Sequence, residues 1–269
     1  MGCSPAKPSE SQCCPNTQQA LRTHGLDHHV LRRYNMSVRK KDTLGEGSFS
    51  VCFRGTDAQT GDAVAIKVYK ANRDARGWAR PDPVTLLKFR RQVAVLRELQ
   101  RPLPEGAGPA LRSDQLSHVQ PADVFMRMID FSRDANGEPG PDPHDGGLYI
   151  VTELADYSLK DLLGAHRCAG KRLPREAAHV VAGDMLRAVA GLHAKGFVHM
   201  DIKPSNLMVF NGRLKLIDTD GCVKAGTVVS KADTSISFSP CYCAPEFARF
   251  LTRRGGLPIE AAPGLDSWS

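Results

Sequence analysis

The sequence lacks long apolar runs, and this excludes several classes of protein. No run approaches the roughly 18 apolar residues that a membrane-spanning helix needs. The N-terminus also lacks the apolar core of a secretory signal peptide. The cysteines form no C-x-x-C pair and no zinc-type spacing. We therefore expect a cytoplasmic, intracellular protein whose cysteines are reduced thiols: Cys3, Cys13, Cys14, Cys52, Cys168, Cys222, Cys241 and Cys243.

The bulk composition is that of an ordinary globular protein. The 269 residues are enough for one large domain or two lobes, and 41% of them are hydrophobic and 24% charged. The net charge of +7 permits an acidic partner but favours a solvated basic surface. We expect no nucleic-acid partner, and the sequence leaves the oligomeric state open.

Residues 1–36 are polar and without sustained periodicity, which predicts a disordered leader. Gly2 and Cys3 could carry acyl chains, but Ala6 stands where the myristoylation pattern has Ser or Thr. We therefore favour a disordered polar tail over a membrane anchor.

The rest of the sequence predicts strands followed by helices. "VCFRGT" and "AVAIKVYK" predict an antiparallel pair around the turn "AQTGD". Apolar residues at helical spacing predict helices over Pro83–Leu99 and from Pro174 to about Ala194, with Gly196 as the stop of the second. The Asn-Gly pair between "LMVF" and "RLKLID" predicts a hairpin. This order indicates an α+β chain with two lobes.

Two stretches in the N-terminal half together suggest a phosphate site. In "LGEGSFSV", Gly45 and Gly47 would let backbone N–H groups approach a phosphate, because neither residue has a Cβ atom. This signal is weak alone, since plain Gly-rich hairpins are common. "VAIK" strengthens it by placing Lys67 among apolar strand residues, where a buried ammonium is costly unless it meets an anion.

The C-terminal half carries an acid and two oxygen ligands in loops. In "HMDIKPSN", Asp201 could accept the proton of an attacking hydroxyl, and Asn206 could bind a hard cation such as Mg²⁺. Asp218 follows at the end of "LKLID" and could supply a second metal ligand. Each of these residues alone would more often be a turn residue.

Taken in order, these motifs resemble those of the protein kinase family. "LGEGSFSV" resembles the Gly-rich loop, "VAIK" the lysine strand, and "IVTEL" the strand and hinge that receive adenine. "HMDIKPSN" resembles the catalytic loop, "IDTDG" the metal-binding DFG segment, and "YCAPE" the APE motif. The resemblance implies a two-lobed fold over residues 37–269, with a small antiparallel-sheet N-lobe to about residue 155 and a helical C-lobe from about residue 156.

The same resemblance implies an ATP- and Mg²⁺-dependent transfer of the γ-phosphoryl group to a protein serine or threonine. Asp201 would be the base, Lys203 would steady the transferred phosphate, and Lys67 would contact the α- and β-phosphates. Asn206 and Asp218 would hold Mg²⁺. Lys203 with Ser239 resembles serine/threonine rather than tyrosine kinases. The other implied ATP contacts are Leu44, Gly45, Glu46, Gly47, Ser48, Val51, Ala65, Thr152 as gatekeeper, the backbone of Glu153 and Ala155, and Met208.

Some positions depart from the family pattern. Gln92 falls where the αC glutamate would pair with Lys67, unless Glu98 or another acid reaches the lysine. Met200 replaces an arginine that receives an activation-loop phosphate, so activity should not depend on that switch. Thr219 and Asp220 replace the Phe and Gly of DFG.

The last residues, "LDSWS", resemble the start of the large buried αF helix of the C-lobe. The C-lobe is therefore expected to be truncated there, and a fragment is favoured over a chain that naturally ends at Ser269. Retention of Lys67, Asp201, Asn206 and Asp218 favours an active kinase. Gln92 and the missing helices favour the alternatives, a nucleotide-binding pseudokinase or scaffold and an inactive fragment.

Overall fold

A computed structural model describes residues 28–74, 77–102, 119–231, 233, 236, 238–253 and 258–268. Its strands are β1 His28–Val30, β2 Tyr34–Met36, β3 Thr43–Glu46, β4 Ser50–Asp57, β5 Ala63–Tyr69, β6 Asn72–Arg73, β7 Ala79–Arg80, β8 Met128–Phe131, β9 Tyr149–Glu153, β10 Tyr157–Ser158, β11 Phe197–Val198, β12 Leu207–Phe210, β13 Arg213–Leu216, β14 Val223–Lys224, β15 Val228–Val229 and β16 Ile259–Glu260. Its helices are α1 Pro83–Leu99, α2 Pro121–Val124, α3 Leu159–Cys168, α4 Arg175–Ala194 and α5 Pro245–Thr252.

The N-lobe is built on an antiparallel sheet with the strand order β1-β2-β4-β5-β9-β8, and β3 pairs with β4. Side chains alternate along β4 and β5, because successive residues of a strand point to opposite faces. Val64, Ile66 and Val68 join the apolar core on one face. Ala65 and Lys67 lie on the opposite face and line a cavity. The predicted antiparallel pair and the α+β architecture are confirmed.

The strands β1 and β2 correct the predicted boundary of the leader. Residues 28–36 form a hairpin that extends the sheet, and Tyr34 is fully buried. Strands of three residues are too short to show a reliable period in the sequence, which is why the hairpin was missed. Residues 1–27, with Gly2 and Cys3, lie outside the described residues.

Helix α1 begins and ends where the sequence predicted. The Asp82 side chain caps its N-terminus by accepting hydrogen bonds from the backbone N–H groups of Val84 and Thr85, and Pro83 occupies the first helical position. One face of the helix packs on the sheet through Phe89, Val93 and Leu96. This packing brings the buried Gln92 to the cavity and places the buried Lys88 over the ring of Phe49.

In the C-lobe, helix α4 and the hairpin β12–β13 pack together and support the loops next to the cavity. Helix α4 ends at Ala194, and Gly196 follows with a positive φ of 74°, as predicted for a helix stop. Asn211 and Gly212 both have positive φ in the predicted Asn-Gly turn. Ala188 and Leu192 of α4 pack against Leu207, Leu214 and neighbouring core residues. None of the described helices has the length and hydrophobicity that a membrane crossing requires.

Candidate active site

A cavity of about 520 Å³ lies between the sheet of the N-lobe and the loops of the C-lobe. Its lining includes all the predicted nucleotide contacts except Val51. The sequence-predicted residues that line it are Leu44, Gly45, Glu46, Gly47, Ser48, Ala65, Lys67, Thr152, Glu153, Ala155, Asp201, Lys203, Asn206, Met208 and Asp218. Groups from distant parts of the chain are therefore brought together as the order of the motifs predicted.

Val51 lies away from the cavity, in the apolar core on the other face of the sheet. Its strand partner on β5 is Val68, also a core residue, whereas Cys52 pairs with Lys67 and lines the cavity. Cys52 and not Val51 therefore lines the cavity, because a shift of one residue along a strand exchanges the faces. Burial raises the pKa of the Cys52 thiol to about 11, so the thiol stays protonated at neutral pH.

Lys67 is held by two carboxylates at the back of the cavity. Its Nζ atom lies 3.1 Å from Oδ1 of Asp218 and 3.4 Å from Oδ2 of Asp220. Burial by itself would lower the pKa of Lys67, but Asp218, Tyr69 and Asp220 outweigh that effect and raise it well above the ordinary value. Burial would likewise raise the pKa of Asp218, and the Lys67 ammonium holds it below the ordinary value instead. Lys67 is therefore a permanent cation at neutral pH.

The segment Asp218–Gly221 turns sharply after strand β13. Asp218 has a left-handed conformation with φ of 60°, and Thr219–Gly221 form a single 3-10 turn that packs against helix α1. Thr219 is fully buried, and its hydroxyl oxygen finds no hydrogen-bond partner among the described residues. This segment brings Asp218 and Asp220 to the same lysine.

Gln92 is buried and lines the cavity, but its side chain is hydrogen-bonded to Tyr69 and not to Lys67. The hydroxyl of Tyr69 donates to Oε1 of Gln92. Glu98 points away from the lysine and pairs with Arg101 at 2.7 Å on the surface. Glu98 is therefore not the acid that pairs with Lys67, and the carboxylates next to its ammonium are those of Asp218 and Asp220.

The catalytic-loop residues form one hydrogen-bonded group. Nζ of Lys203 lies 2.5 Å from Oδ2 of Asp201 and 2.8 Å from Oγ of Ser239. The amide nitrogen of Asn206 donates to the carbonyl oxygen of Asp201 at 2.9 Å. Oδ1 of Asp201 is buried and has no hydrogen-bond partner among the described residues. One carboxylate oxygen is thus positioned, and the other keeps its acceptor capacity.

The donor set suits Mg²⁺. The amide nitrogen of Asn206 donates to Asp201, which leaves the amide oxygen as the atom that could bind a cation. Oδ1 of Asp218 contacts the ammonium of Lys67. The side chain of Asp218 is 36% exposed, so its carboxylate can also reach a cation in the cavity. The described residues contain no cluster of three His, Cys, Asp or Glu. Two oxygen ligands are nevertheless what Mg²⁺ uses when phosphates and waters complete its shell.

Contacts of Glu153 hold the end of strand β9, which carries the predicted hinge. The carboxylate of Glu153 lies 2.7 Å from Nζ of Lys215 and accepts a hydrogen bond of 2.7 Å from the backbone N–H of Arg127. The backbone N–H of Glu153 donates to the carbonyl oxygen of Arg127 at 3.1 Å. Its own carbonyl is therefore the group with which Glu153 would contact an adenine.

Asp266 anchors the catalytic loop, a role that the sequence did not reveal. Its buried carboxylate accepts hydrogen bonds from the backbone N–H groups of His199 at 2.7 Å and Met200 at 2.8 Å. Its Oδ2 atom also lies 2.9 Å from Nε2 of His193. Asp266 thereby joins the residues just before Asp201 to helix α4. The resemblance of "LDSWS" to a buried helix start was the available signal.

Met200 has an apolar role in place of a charged one. It has a positive φ of 69° and is 6% exposed, within an apolar cluster that includes Val198, Val229, Phe247 and Leu265. Val229 comes from the segment that follows the DFG-like turn, and Phe247 comes from helix α5. The catalytic loop therefore contacts these elements through apolar packing at this position.

Substitution of Met200 by arginine should destabilise this junction. A guanidinium in the apolar cluster would lose its hydration, so we expect the free energy of unfolding to fall by about 3 kcal/mol. Met200→Leu is the matched control and should cost less than about 1.5 kcal/mol. Urea unfolding followed by circular dichroism measures both, and equal stability of the two variants would contradict the apolar role.

Comparisons with known proteins find similarity to protein kinases. The family described as "Protein kinase domain" matches residues 117–269. Over 234 residues the chain is 26% identical to "Cyclin-dependent kinase B2-2" of Arabidopsis thaliana, covering 87% of the chain and 62% of the relative. Over 211 residues it is 29% identical to "Cell division control protein 2 homolog C" of Antirrhinum majus, covering 77% and 59%.

The chain thus spans about three fifths of the length of these curated relatives. The family match covers more than half of the chain and includes the catalytic loop and the segment with Asp218. The chain therefore belongs to the protein kinase family.

Proposed function

We propose that this chain transfers the γ-phosphoryl group of ATP to serine or threonine hydroxyls of a protein substrate. The observation that carries the proposal is the state of Asp201. Its Oδ2 atom is held by Lys203 at 2.5 Å, while Oδ1 lacks a partner among the described residues and the residue lines the cavity. A carboxylate in this state is suited to accept the proton of an incoming hydroxyl.

The cavity has the groups that would bind the nucleotide. Leu44, Ala65 and Met208 offer apolar surface for an adenine next to the hinge backbone. Lys67 lines the same cavity and would contact the α- and β-phosphates, with Gly45 and Gly47 over them. Since neither glycine has a Cβ atom, the backbone of this loop can approach the phosphates closely.

Asn206 and Asp218 would hold Mg²⁺. When bound, the cation would neutralise negative charge that develops on the phosphates. Lys203 would then face the transferred group, since Asp201 and Ser239 already direct its ammonium to this part of the cavity. These residues position and stabilise, and Asp201 is the one that moves a proton.

The contact between Lys203 and Ser239 supports serine or threonine as the acceptor. Nζ of Lys203 lies 2.8 Å from Oγ of Ser239. This contact joins the catalytic loop to the segment before the APE motif. It is the pair of residues on which the sequence resembles serine/threonine kinases.

A nucleotide-binding module without transfer is the second candidate. The observation in its favour is Gln92, which brings no charge to the cavity and accepts a hydrogen bond from Tyr69 instead. The two functions differ in one measurable respect, because a module of this kind would bind ATP without transferring its γ-phosphoryl group.

Labelled ATP tests the proposal. With Mg²⁺ and a generic protein acceptor, γ-labelled ATP should label the acceptor, whereas α-labelled ATP and excess chelator should not. Lys67→Met should lower ATP affinity about tenfold or more, because it removes a charge-assisted contact with the phosphates. Lys160→Met, on the exposed face of helix α3, is the control and should leave affinity unchanged. ATP binding without γ-specific labelling would favour the second candidate.

A further inference from the structure

Two residues of the cavity depart from the kinase pattern, and their changes in charge compensate each other. At the position that resembles the αC glutamate, Gln92 of helix α1 is neutral. At the position that resembles the glycine of DFG, Asp220 adds a carboxylate. Its φ lies outside the left-handed region that would favour glycine, so the backbone there accommodates a side chain.

The added carboxylate lies next to the lysine. Oδ2 of Asp220 is 3.4 Å from Nζ of Lys67, and the side chains are 11% and 16% exposed. Ion pairs shielded from water in this way are less screened by salt than surface pairs. Among the described residues, Asp218 and Asp220 are the carboxylates within 4.0 Å of this ammonium.

We propose that Asp220 positions Lys67 for the nucleotide phosphates, in place of an acid on helix α1. This inference deepens the proposed function and rests on it. Asp218 would not fill the role alone, because its carboxylate would also serve as a ligand of Mg²⁺. Asp220 would then hold the ammonium in the direction of the phosphates.

Helix α1 contacts two elements that surround the cavity. Lys88 lies one turn before Gln92, is 1% exposed, and its Nζ atom stacks 3.9 Å from the centre of the Phe49 ring in the Gly-rich loop. Burial lowers the pKa of Lys88, and Asp220 acts in the opposite direction. The helix also packs on the turn that carries Asp220. Helix α1 is thus in contact with the turn that carries Asp220 and, through Lys88, with the Gly-rich loop.

The first test measures the Lys67 amine without nucleotide. Acylation by a water-soluble succinimidyl ester at one fixed pH is quantified by peptide mass spectrometry. Asp220→Asn removes one of the two carboxylates that hold the Lys67 ammonium, with little change in volume, so Lys67 should be acylated about tenfold faster. Glu98→Gln, the acid on the outer side of α1, should leave the rate unchanged. Asp220→Gly serves as a second variant if the first melts below the assay temperature.

The second test moves the charge back to the helix. Asp220→Asn should weaken ATP binding about tenfold. Adding Gln92→Glu to this variant should restore the affinity for ATP. It should also return the acylation of Lys67 to its slow wild-type rate, because a carboxylate then reaches the lysine from α1. Gln92→Glu alone should bring no gain, since Asp220 already holds Lys67. A merely structural role of Asp220 would not be rescued by a charge on another element.

Unchanged acylation in both Asp220 variants, or no recovery in the double variant, would overturn the proposal. The acylation assay reports on Lys67 with or without phosphoryl transfer. Failure of transfer in the wild-type chain would therefore sink the proposed function while leaving the Asp220 contact to be judged separately.

Discussion

Asp201→Asn should reduce the rate of phosphoryl transfer by a factor of about 10² to 10⁴, the range that general-base catalysis contributes. The substitution preserves the shape of the side chain but replaces one carboxylate oxygen by an amide nitrogen, which cannot accept a proton. It also removes the negative charge that Lys203 contacts at 2.5 Å. Initial rates measured over a range of ATP concentrations should show the loss in kcat and little change in KM for ATP.

A matched control is available in another buried aspartate. Asp142 is 6% exposed, as is Asp201, and its carboxylate accepts a hydrogen bond from the backbone N–H of His144 in a loop of the N-lobe. Asp142→Asn should keep activity within about twofold, because this residue does not line the cavity. Transfer by Asp201→Asn at more than about a third of the wild-type rate would rule out Asp201 as the base.

Asp266→Ala should lower the free energy of unfolding by about 3 to 5 kcal/mol. The variant would leave the buried backbone N–H groups of His199 and Met200 without their carboxylate acceptor. It would also remove the contact between Asp266 and the ring of His193 at 2.9 Å. Since these groups hold the loop that carries Asp201, transfer should fall as well. Urea unfolding followed by circular dichroism gives the stability.

Two further variants bracket this effect. Asp266→Asn keeps one oxygen acceptor and should cost less than the alanine variant. Trp268→Ala changes a neighbouring side chain that is 64% exposed, and its effect should stay within about 0.5 kcal/mol. If Asp266→Ala were as stable as Trp268→Ala, the catalytic loop would have to be held by other contacts.

Much of the fold could be predicted because it depends on residues that are close together in the sequence. Helix α1 has a capping aspartate, a proline at its first position and an apolar face, and it spans the predicted residues. The Asn-Gly hairpin likewise depends on two adjacent residues that tolerate positive φ. The cavity residues could be predicted because their motifs occur in the order that the resemblance requires.

The predictions failed where the outcome depended on tertiary contacts or on one position of register. Val51 was placed in the cavity instead of Cys52, because the face of a strand changes with each residue. The sequence showed that Gln92 lacks a charge, but only the folded chain brings Asp220 to Lys67, far from it in sequence. The contact of Asp266 with the catalytic loop is equally non-local.

The central claim is that the cavity transfers phosphate to hydroxyls with Asp201 as the base. Phosphoamino-acid analysis of a protein acceptor, after incubation with the chain, Mg²⁺ and γ-labelled ATP, tests it most directly. We predict phosphoserine or phosphothreonine with the wild-type chain, and little of either with Asp201→Asn. Phosphotyrosine alone, or equal labelling by both chains, would contradict the account.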